Sequence, residues 1–299
     1  MPIHYDITHT TVYRYTSPVT FGLHRVMFRP RESHDLRVLA TDLQVSPEAS
    51  IRLIQDPHSN SVALVEPQGE ATELSIVCRF TIERVPSTET VLALDPSAEA
   101  LPFAYSVQDR LSLEHYLRPH HDDPDGTLMR WAHQFLYTGE GNGTREVLTR
   151  MNEFIFKNIT YQAREEEGTQ TPLRTLELGS GSCRDYALLM MEATRRLGIA
   201  TRFVSGYLYD AGLDTGGDAG DDETVTGAGS THAWLHAYLP GAGWVGFDPT
   251  NNLMSSSRLI RVAVARDPSL AAPISGSWVG KAEAYEGMDV SVEVRRLHG

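Results

Sequence analysis

A cysteine, a histidine and an aspartate in one chain can supply a nucleophile, a base and a group that orients the base. Cys183 follows the run Gly179-Ser180-Gly181-Ser182 and stands at the start of the best-marked helix of the sequence. There the unpaired backbone N–H groups and the helix dipole favour a thiolate over a thiol, and the small residues before it let a substrate come close to the sulfur. A lone cysteine more often serves as a small buried apolar residue. Cys78 is read that way, because it shares its parity with Ile76 and Phe80; a disulfide between the two cysteines is not expected in a reducing compartment. Cys183 differs in having candidate partners further along the chain. His232 opens a strand pattern at Thr231-His232-Ala233-Trp234, and Asp248 closes the next one at Gly243-Trp244-Val245-Gly246-Phe247-Asp248. The short link Pro240-Gly241-Ala242-Gly243 predicts a hairpin, so the start of the first strand lies beside the end of the second and His232 beside Asp248. A helix N-terminus carrying Cys183 need only abut that end of the sheet to complete the set.

His236 is a rival base of the same parity as His232. It lies mid-strand, about 13 Å further along at roughly 3.3 Å per residue, and the hairpin register carries it away from Asp248. The same separation keeps two histidines four apart on a strand from sharing one zinc ion, and there is no second clustered Cys or His pair. Neither a metal nor a cofactor is expected.

These residues need elements to hold them. Residues 1–85 read as short strands, most clearly at Leu74, Ile76, Cys78, Phe80 and Ile82, with Ile3, Tyr5 and Ile7, then Leu39, Leu43 and Val45, then Ile51 and Leu53, then Val62 and Leu64 alternating likewise. Strands at this spacing predict an antiparallel β-sandwich. Residues 86–126 carry Pro86, Pro96, Pro102, Pro119 and Pro124 and read as a connecting segment. Helical patterns come next at Leu128 to Tyr137 and at Val147, Met151, Phe154 and Ile155. A short helix is predicted from Pro172 behind Thr171, ending at Gly179. The cysteine helix begins with Ser182 and Asp185 in a capping-box spacing, buries Ala187, Met190, Met191 and Leu197, and ends at Gly198. Strand patterns return at 201–209, 231–239, 244–248 and 259–264, and Glu286-Gly287-Met288-Asp289 reads as the turn of a terminal hairpin. Strands, then helices, then strands predict an α+β chain: a sandwich over 1–85, and a core over 127–299 in which the cysteine helix packs on an antiparallel sheet.

The runs Gly181-Ser182-Cys183-Arg184-Asp185-Tyr186-Ala187, Arg195 through Tyr207, His232-Ala233-Trp234 and Gly243 through Asn251 resemble the core of bacterial transglutaminase-like cysteine protease homologues. The strand-rich start resembles, more loosely, the amino-terminal domain of one bacterial branch. The resemblance implies a papain-like fold with Cys183 as nucleophile, His232 as general base and acid, and Asp248 holding the imidazole. It implies a thioester intermediate on an amide substrate, with water giving hydrolysis and an amine giving transamidation. Tyr161 and Gln162 are candidates for the second oxyanion donor, since the family places a polar or aromatic residue upstream of the cysteine; for Tyr161, strand packing is an equal reading. Trp234 and Trp244 are expected to pack around the site, and Arg184 and Asp185 to brace the helix start. A cysteine peptidase or amidase is favoured over a transglutaminase, since water is always at hand. A non-catalytic interaction scaffold is the third reading, against which the complete set of three residues speaks.

The chain has 299 residues, 41% hydrophobic and 22% charged, enough for two domains without a disulfide or metal staple. Its net charge of −13 argues against nucleic acid and against an anionic membrane surface. No run approaches 18 apolar residues, and Met1-Pro2-Ile3-His4-Tyr5-Asp6 lacks the pattern of a signal peptide, so a cytoplasmic location is expected. Asp210, Asp214, Asp218, Asp221, Asp222 and Glu223 lie in a stretch leading to His232. Their spacing does not fit a calcium loop, and a solvated insertion or an electrostatic approach for a cationic peptide or amine are the readings it leaves.

Overall fold

The computed structural model describes residues 2–85, 93–136, 142–164, 166–214 and 225–297. The chain begins with the strands β1 (Ile3–Phe21), β2 (His24–Val26), β3 (Leu36–Ser46), β4 (Ala49–Gln55), β5 (Ser61–Pro67) and β6 (Glu70–Arg84). Helices α1 (Val107–Leu117), α2 (Thr127–His133) and α3 (Thr144–Asn158) come next, then β7 (Thr160–Tyr161), α4 (Pro172–Leu178), β8 (Ser180–Gly181) and α5 (Cys183–Arg196). The rest is β9 (Thr201–Leu208), β10 (His232–Leu239), β11 (Gly243–Asp248), β12 (Leu253–Met254), β13 (Leu259–Ala265), β14 (Ile274–Ser275), β15 (Trp278–Val279) and β16 (Tyr285–Leu297).

The amino-terminal strands form two antiparallel sheets, ordered β15-β1-β6-β3, with β16 also on β1, and β14-β2-β5-β4. Period-two patterning drives them together: Leu74, Ile76, Cys78, Phe80 and Ile82 of β6 are all buried against Tyr5, Ile7, Val65 and Phe28. Burial pushes the Cys78 thiol up to about 12, as befits an inert core residue.

Three sequence expectations change here. The strands over 274–297, read with the core, hydrogen-bond into the amino-terminal sheets instead, because β1 is 19 residues long and its open edge is covered by β16 from His4↔Leu297 to Tyr15↔Tyr285. Residues 286–289 make no turn; the register slips between Arg14 and Tyr15, so the glycine and its polar neighbours serve a bulge within one continuous strand. Leu39 does not share a buried face with Leu43 and Val45, since the β3–β6 register shifts between Val38 and Ala40 and leaves it exposed. Ile51 and Leu53 also stay exposed, on the outermost strand of their sheet.

The second half packs α2, α3, α4 and α5 on an antiparallel sheet ordered β12-β11-β10-β9-β13. The predicted helix starts and stops hold: Thr171 accepts from Arg174 N, and Gly179 and Gly198 leave their helices with φ of 59° and 82°. Helix α5 is buried nearly all round, between β9 and β10 on one side and α2 and α4 on the other. Its buried Glu192 and Arg195 therefore pair at 2.7 Å, and Glu192 also accepts from His120 N and His121 N. Among the described residues no helix is long and apolar enough to cross a membrane.

His9 of β1 joins the sandwich to β9 of the core. The Tyr207 hydroxyl donates to Phe28 O at 2.8 Å, so His9 Nδ1 donates to that hydroxyl at 3.0 Å and Nε2 accepts from Thr11 Oγ1 at 3.2 Å. Both ring nitrogens of the neutral imidazole are thus used, and burial lowers its pKa to about 3. The unfolded chain takes up this proton near pH 6.5 and the folded chain does not, so His9 costs stability as pH falls from about 6.5 towards 3, by up to about 1.4 kcal/mol per pH unit. Urea unfolding of wild type and His9→Phe across this window checks it; the wild type is expected to lose stability more steeply with falling pH.

Candidate functional site

The β10–β11 register runs from Leu239↔Gly243 to Leu235↔Phe247, so the two strands bring His232 and Asp248 to one end of the sheet. His232 Nε2 lies 2.8 Å from Asp248 Oδ2, with both side chains fully buried. Burial alone would lower the imidazole pKa. The charge and hydrogen bond of Asp248, with a further contribution from Cys183, outweigh it and raise the value to about 10. Asp248 is itself held: Oδ1 accepts from Thr250 N at 2.9 Å, and Oδ2 accepts from Asn251 Nδ2 at 2.9 Å. Asn251 also grips the segment after the acidic stretch, donating to Thr226 O at 3.1 Å and accepting from Thr226 N at 2.7 Å. That segment presses Gly227 onto the imidazole; at φ 91°, a Cβ there would stand 2.9 Å from His232 Nδ1. Nδ1 is buried and makes no hydrogen bond to a described residue, which leaves it as the ring nitrogen available to the neighbouring Cys183.

Cys183 is a free, half-buried thiol and the first residue of α5. Asp185 N and Tyr186 N donate to Ser182 O, both at 3.0 Å, whereas the N–H groups of Cys183 and Arg184 precede the first bond of the helix. Asp185, wholly buried, fixes the turn: its Oδ2 accepts from Ser182 N and Ser182 Oγ, both at 2.8 Å, while Oδ1 accepts from Gln170 N at 2.7 Å and Arg164 Nη1 at 2.9 Å. Gly181 is required beside it, since a Cβ there would meet Asp185 Cβ at 2.9 Å. Arg184 donates to Arg164 O and Glu166 O. Asp185 and Arg184 thus brace the helix start, as their positions in the sequence predict.

Tyr161 pairs with Gly181 through the parallel β7–β8 ladder, and burial, with Cys183 second, pushes its phenol up to about 12. Gln162 N donates to Gly181 O at 2.8 Å, and its side chain is exposed. Tyr161 thus ends β7 and Gln162 follows it, both alongside the β8 residues that lead into Cys183. Trp234 is buried and stacks on His232 with ring centroids 6.0 Å apart and planes at 26°. Trp244 does not join them: it faces Tyr238 across the hairpin, four residues from Asp248 and about 13 Å away along the strand. His236 likewise sits opposite Gly246, its Nδ1 bonded to Arg202 rather than to any carboxylate.

Of the acidic stretch, Asp218, Asp221, Asp222 and Glu223 lie outside the described residues. Asp210 and Asp214 are buried rather than solvated, accepting from Gly212 N, and from Tyr209 OH and Arg296 N. Arg164, Thr250 and Asn251 were not singled out from the sequence. An amide three residues after Asp248 across a Pro-Thr turn is a readable signal for Asn251, whereas the Arg164–Asp185 pair spans 21 residues and leaves none.

The chain belongs to the transglutaminase-like superfamily. Residues 101–249 match the transglutaminase-like superfamily core, and residues 5–83 match the bacterial transglutaminase-like N-terminal region. An uncharacterized protein of Mycobacterium leprae is 27% identical over 97% of this chain and 98% of its own length. One of Mycobacterium tuberculosis is 28% identical over 99% of this chain and 93% of its own. A Cytophaga hutchinsonii protein, described with its crystal structure as a "putative cysteine protease", shares the fold across all of this chain and 92% of its own, with 20% identity and a TM-score of 0.70.

The raised pKa of His232 depends on Asp248. In an NMR titration the wild-type imidazole is expected to stay protonated through neutral pH, losing its proton towards about 10. In Asp248→Asn it should titrate well below that, because burial is then opposed by Cys183 without the larger contribution of the carboxylate. An unchanged titration would show that Asp248 does not set it.

Proposed function

We propose that the chain is a thiol enzyme that cleaves amide bonds of a peptide or protein through a thioester, with Cys183 as nucleophile, His232 as acid and base, and Asp248 orienting the imidazole. One observation carries this reading: Asp248 occupies His232 Nε2, while the buried Nδ1, beside Cys183 at a helix N-terminus, has no other partner among the described residues.

The chemistry derives from the placement. A Cys183 thiolate attacks the amide carbonyl, forming the C–S bond, and the oxyanion that develops is met by the backbone N–H of Cys183 at the start of α5. The C–N bond breaks as His232 gives its Nδ1 proton to the leaving amine. Water then attacks the thioester, passes a proton to His232 and releases the acid and the thiolate. Tyr161, beside Gly181, is the candidate second donor to the oxyanion. Were an amine to enter instead of water, the same thioester would give transamidation. Hydrolysis is preferred because water is always at hand and nothing in the sequence identifies an amine-binding pocket. Asp210 and Asp214 are engaged in bonds of their own and do not supply an electrostatic approach for a cationic substrate.

Two measurements test this. Alkylation of Cys183 at neutral pH should slow by about tenfold or more in His232→Ala, since the imidazolium no longer holds the thiolate; an unchanged rate would favour the scaffold reading. With a glutamine peptide and a labelled primary amine, hydrolysis should outrun amine incorporation and both should vanish in Cys183→Ala. Incorporation outrunning hydrolysis would make the chain an acyltransferase.

A further inference from the structure

Arg202 stands on the same sheet face as His232, four residues further along, opposite His236. Arg202 is half-buried; of the other enclosed arginines, Arg84 and Arg195 are buried and Arg164 and Arg196 half-buried, and each of these four faces a carboxylate within ion-pair distance. Arg202 makes no ion pair with a described residue. Its Nε and Nη2 lie 3.4 and 3.1 Å from His236 Nδ1, and its guanidinium lies over the Trp244 ring at 4.1 Å. His236 cannot neutralise it: burial, with Arg202 and Arg261 adding to it, holds the His236 pKa well below the ordinary value, so the ring stays a neutral acceptor. Burial also pushes the Arg202 guanidinium down to about 9, opposed by Tyr116 and assisted by Arg31 and Arg261. A charge in that setting is stabilised by a counter-charge, and no carboxylate among the described residues pairs with it.

The space beside it is a cavity of about 300 Å³ that also involves His58, Ser59, Ser112, Tyr116 and Tyr238. Its walls come from three parts of the chain, and they are fixed. The turn carrying His58 is tied by Asp56 Oδ1, which accepts from His58 N and Asn60 N, and by Asn60, which bonds both N and O of Val264. Arg31 Nη1 donates to His58 O, placing behind the same turn a second arginine that makes no ion pair with a described residue. His58 Nδ1 meets Tyr116 OH at 2.9 Å. One carboxylate borders the cavity, Asp109, whose Oδ2 accepts from Ser106 Oγ at the start of α1.

We propose that this cavity is a binding site for a small oxyanion, seated on the free edge of the Arg202 guanidinium between aromatic walls. Carboxylate and phosphate both match the planar fork of an arginine, and stacking on Trp244 presents that fork in one orientation. The site lies about 13 Å from His232 along the strand and does not depend on thiol chemistry.

Acetate and inorganic phosphate, titrated separately at constant ionic strength, with chloride as the reference, distinguish the two sources through tryptophan fluorescence and thermal shift. Saturable binding of at least one is expected, weakened about tenfold or more in Arg202→Gln. Two substitutions at the rim give opposite signs without emptying the site: Ser112→Asp, on an exposed position of α1, should weaken binding, and Asp109→Asn should strengthen it. Cys183→Ala should bind as the wild type does. Response to neither anion beyond chloride, equal affinity in Arg202→Gln, indifference to both rim substitutions, or loss of binding in Cys183→Ala would each overturn the proposal.

Discussion

A buried, protonated imidazole would be expelled from this fold were Asp248 not 2.8 Å from its Nε2. Desolvation works against the charged ring, and only a carboxylate fixed in place can exceed it. The carboxylate is fixed by Thr250 N and the Asn251 amide, and Asn251 in turn draws the backbone at Thr226 across the site. A bond between two side chains thus depends on a small network whose other members are the Asn251 amide and backbone groups of Thr250 and Thr226. The network decides which ring nitrogen faces the thiol, and so which atom can carry the proton.

The sulfur is positioned by a separate device. Helix α5 runs through the middle of the core, where helix ends and charged side chains are expensive unless paired. Its first turn is satisfied by Asp185, held from outside by Arg164, and its last turn by the Glu192–Arg195–Arg196 cluster, which also ties in His120 and His121. Both ends being anchored, the first residue of the helix has little freedom to retreat from His232. A site built from a helix end and a strand end needs both elements fixed against the same sheet, and the packing of α5 on β9 and β10 does this.

The parts of this arrangement that were legible in the sequence are those governed by local counting. The link after Leu239 sets a hairpin, the hairpin sets the register, and the register puts His232 next to Asp248 and sends His236 away from it; the same register carries Trp244 to the far end, against the expectation that it packs around the site. Helix caps are equally local, and Thr171, Gly179 and Gly198 stand where the sequence puts them. What local pattern does not contain is pairing across the whole chain. Residues 285–297 alternate like any strand, and nothing in them says that their partner lies some 280 residues earlier on β1. Bulges are invisible for a related reason: a single extra residue inverts the parity on which the count rests, as at Leu39.

Net charge shows the same gap between composition and structure. A value of −13 reads as a solvated, repulsive surface, yet several of the acids lie inside. Asp56 ties a turn, Asp123 accepts from the first N–H groups of α2, Asp185 and Glu192 hold α5, and Asp214 accepts from Arg296 N. Such groups are spent on hydrogen bonds and contribute little to a field that could steer a ligand. The few places where charge remains unmatched then matter more than the total. Around Arg202, in an acidic protein, the unmatched charge is positive, half-buried and stacked on an aromatic ring, and the sign of a chain's net charge does not set the sign of the ligand that its cavities can hold.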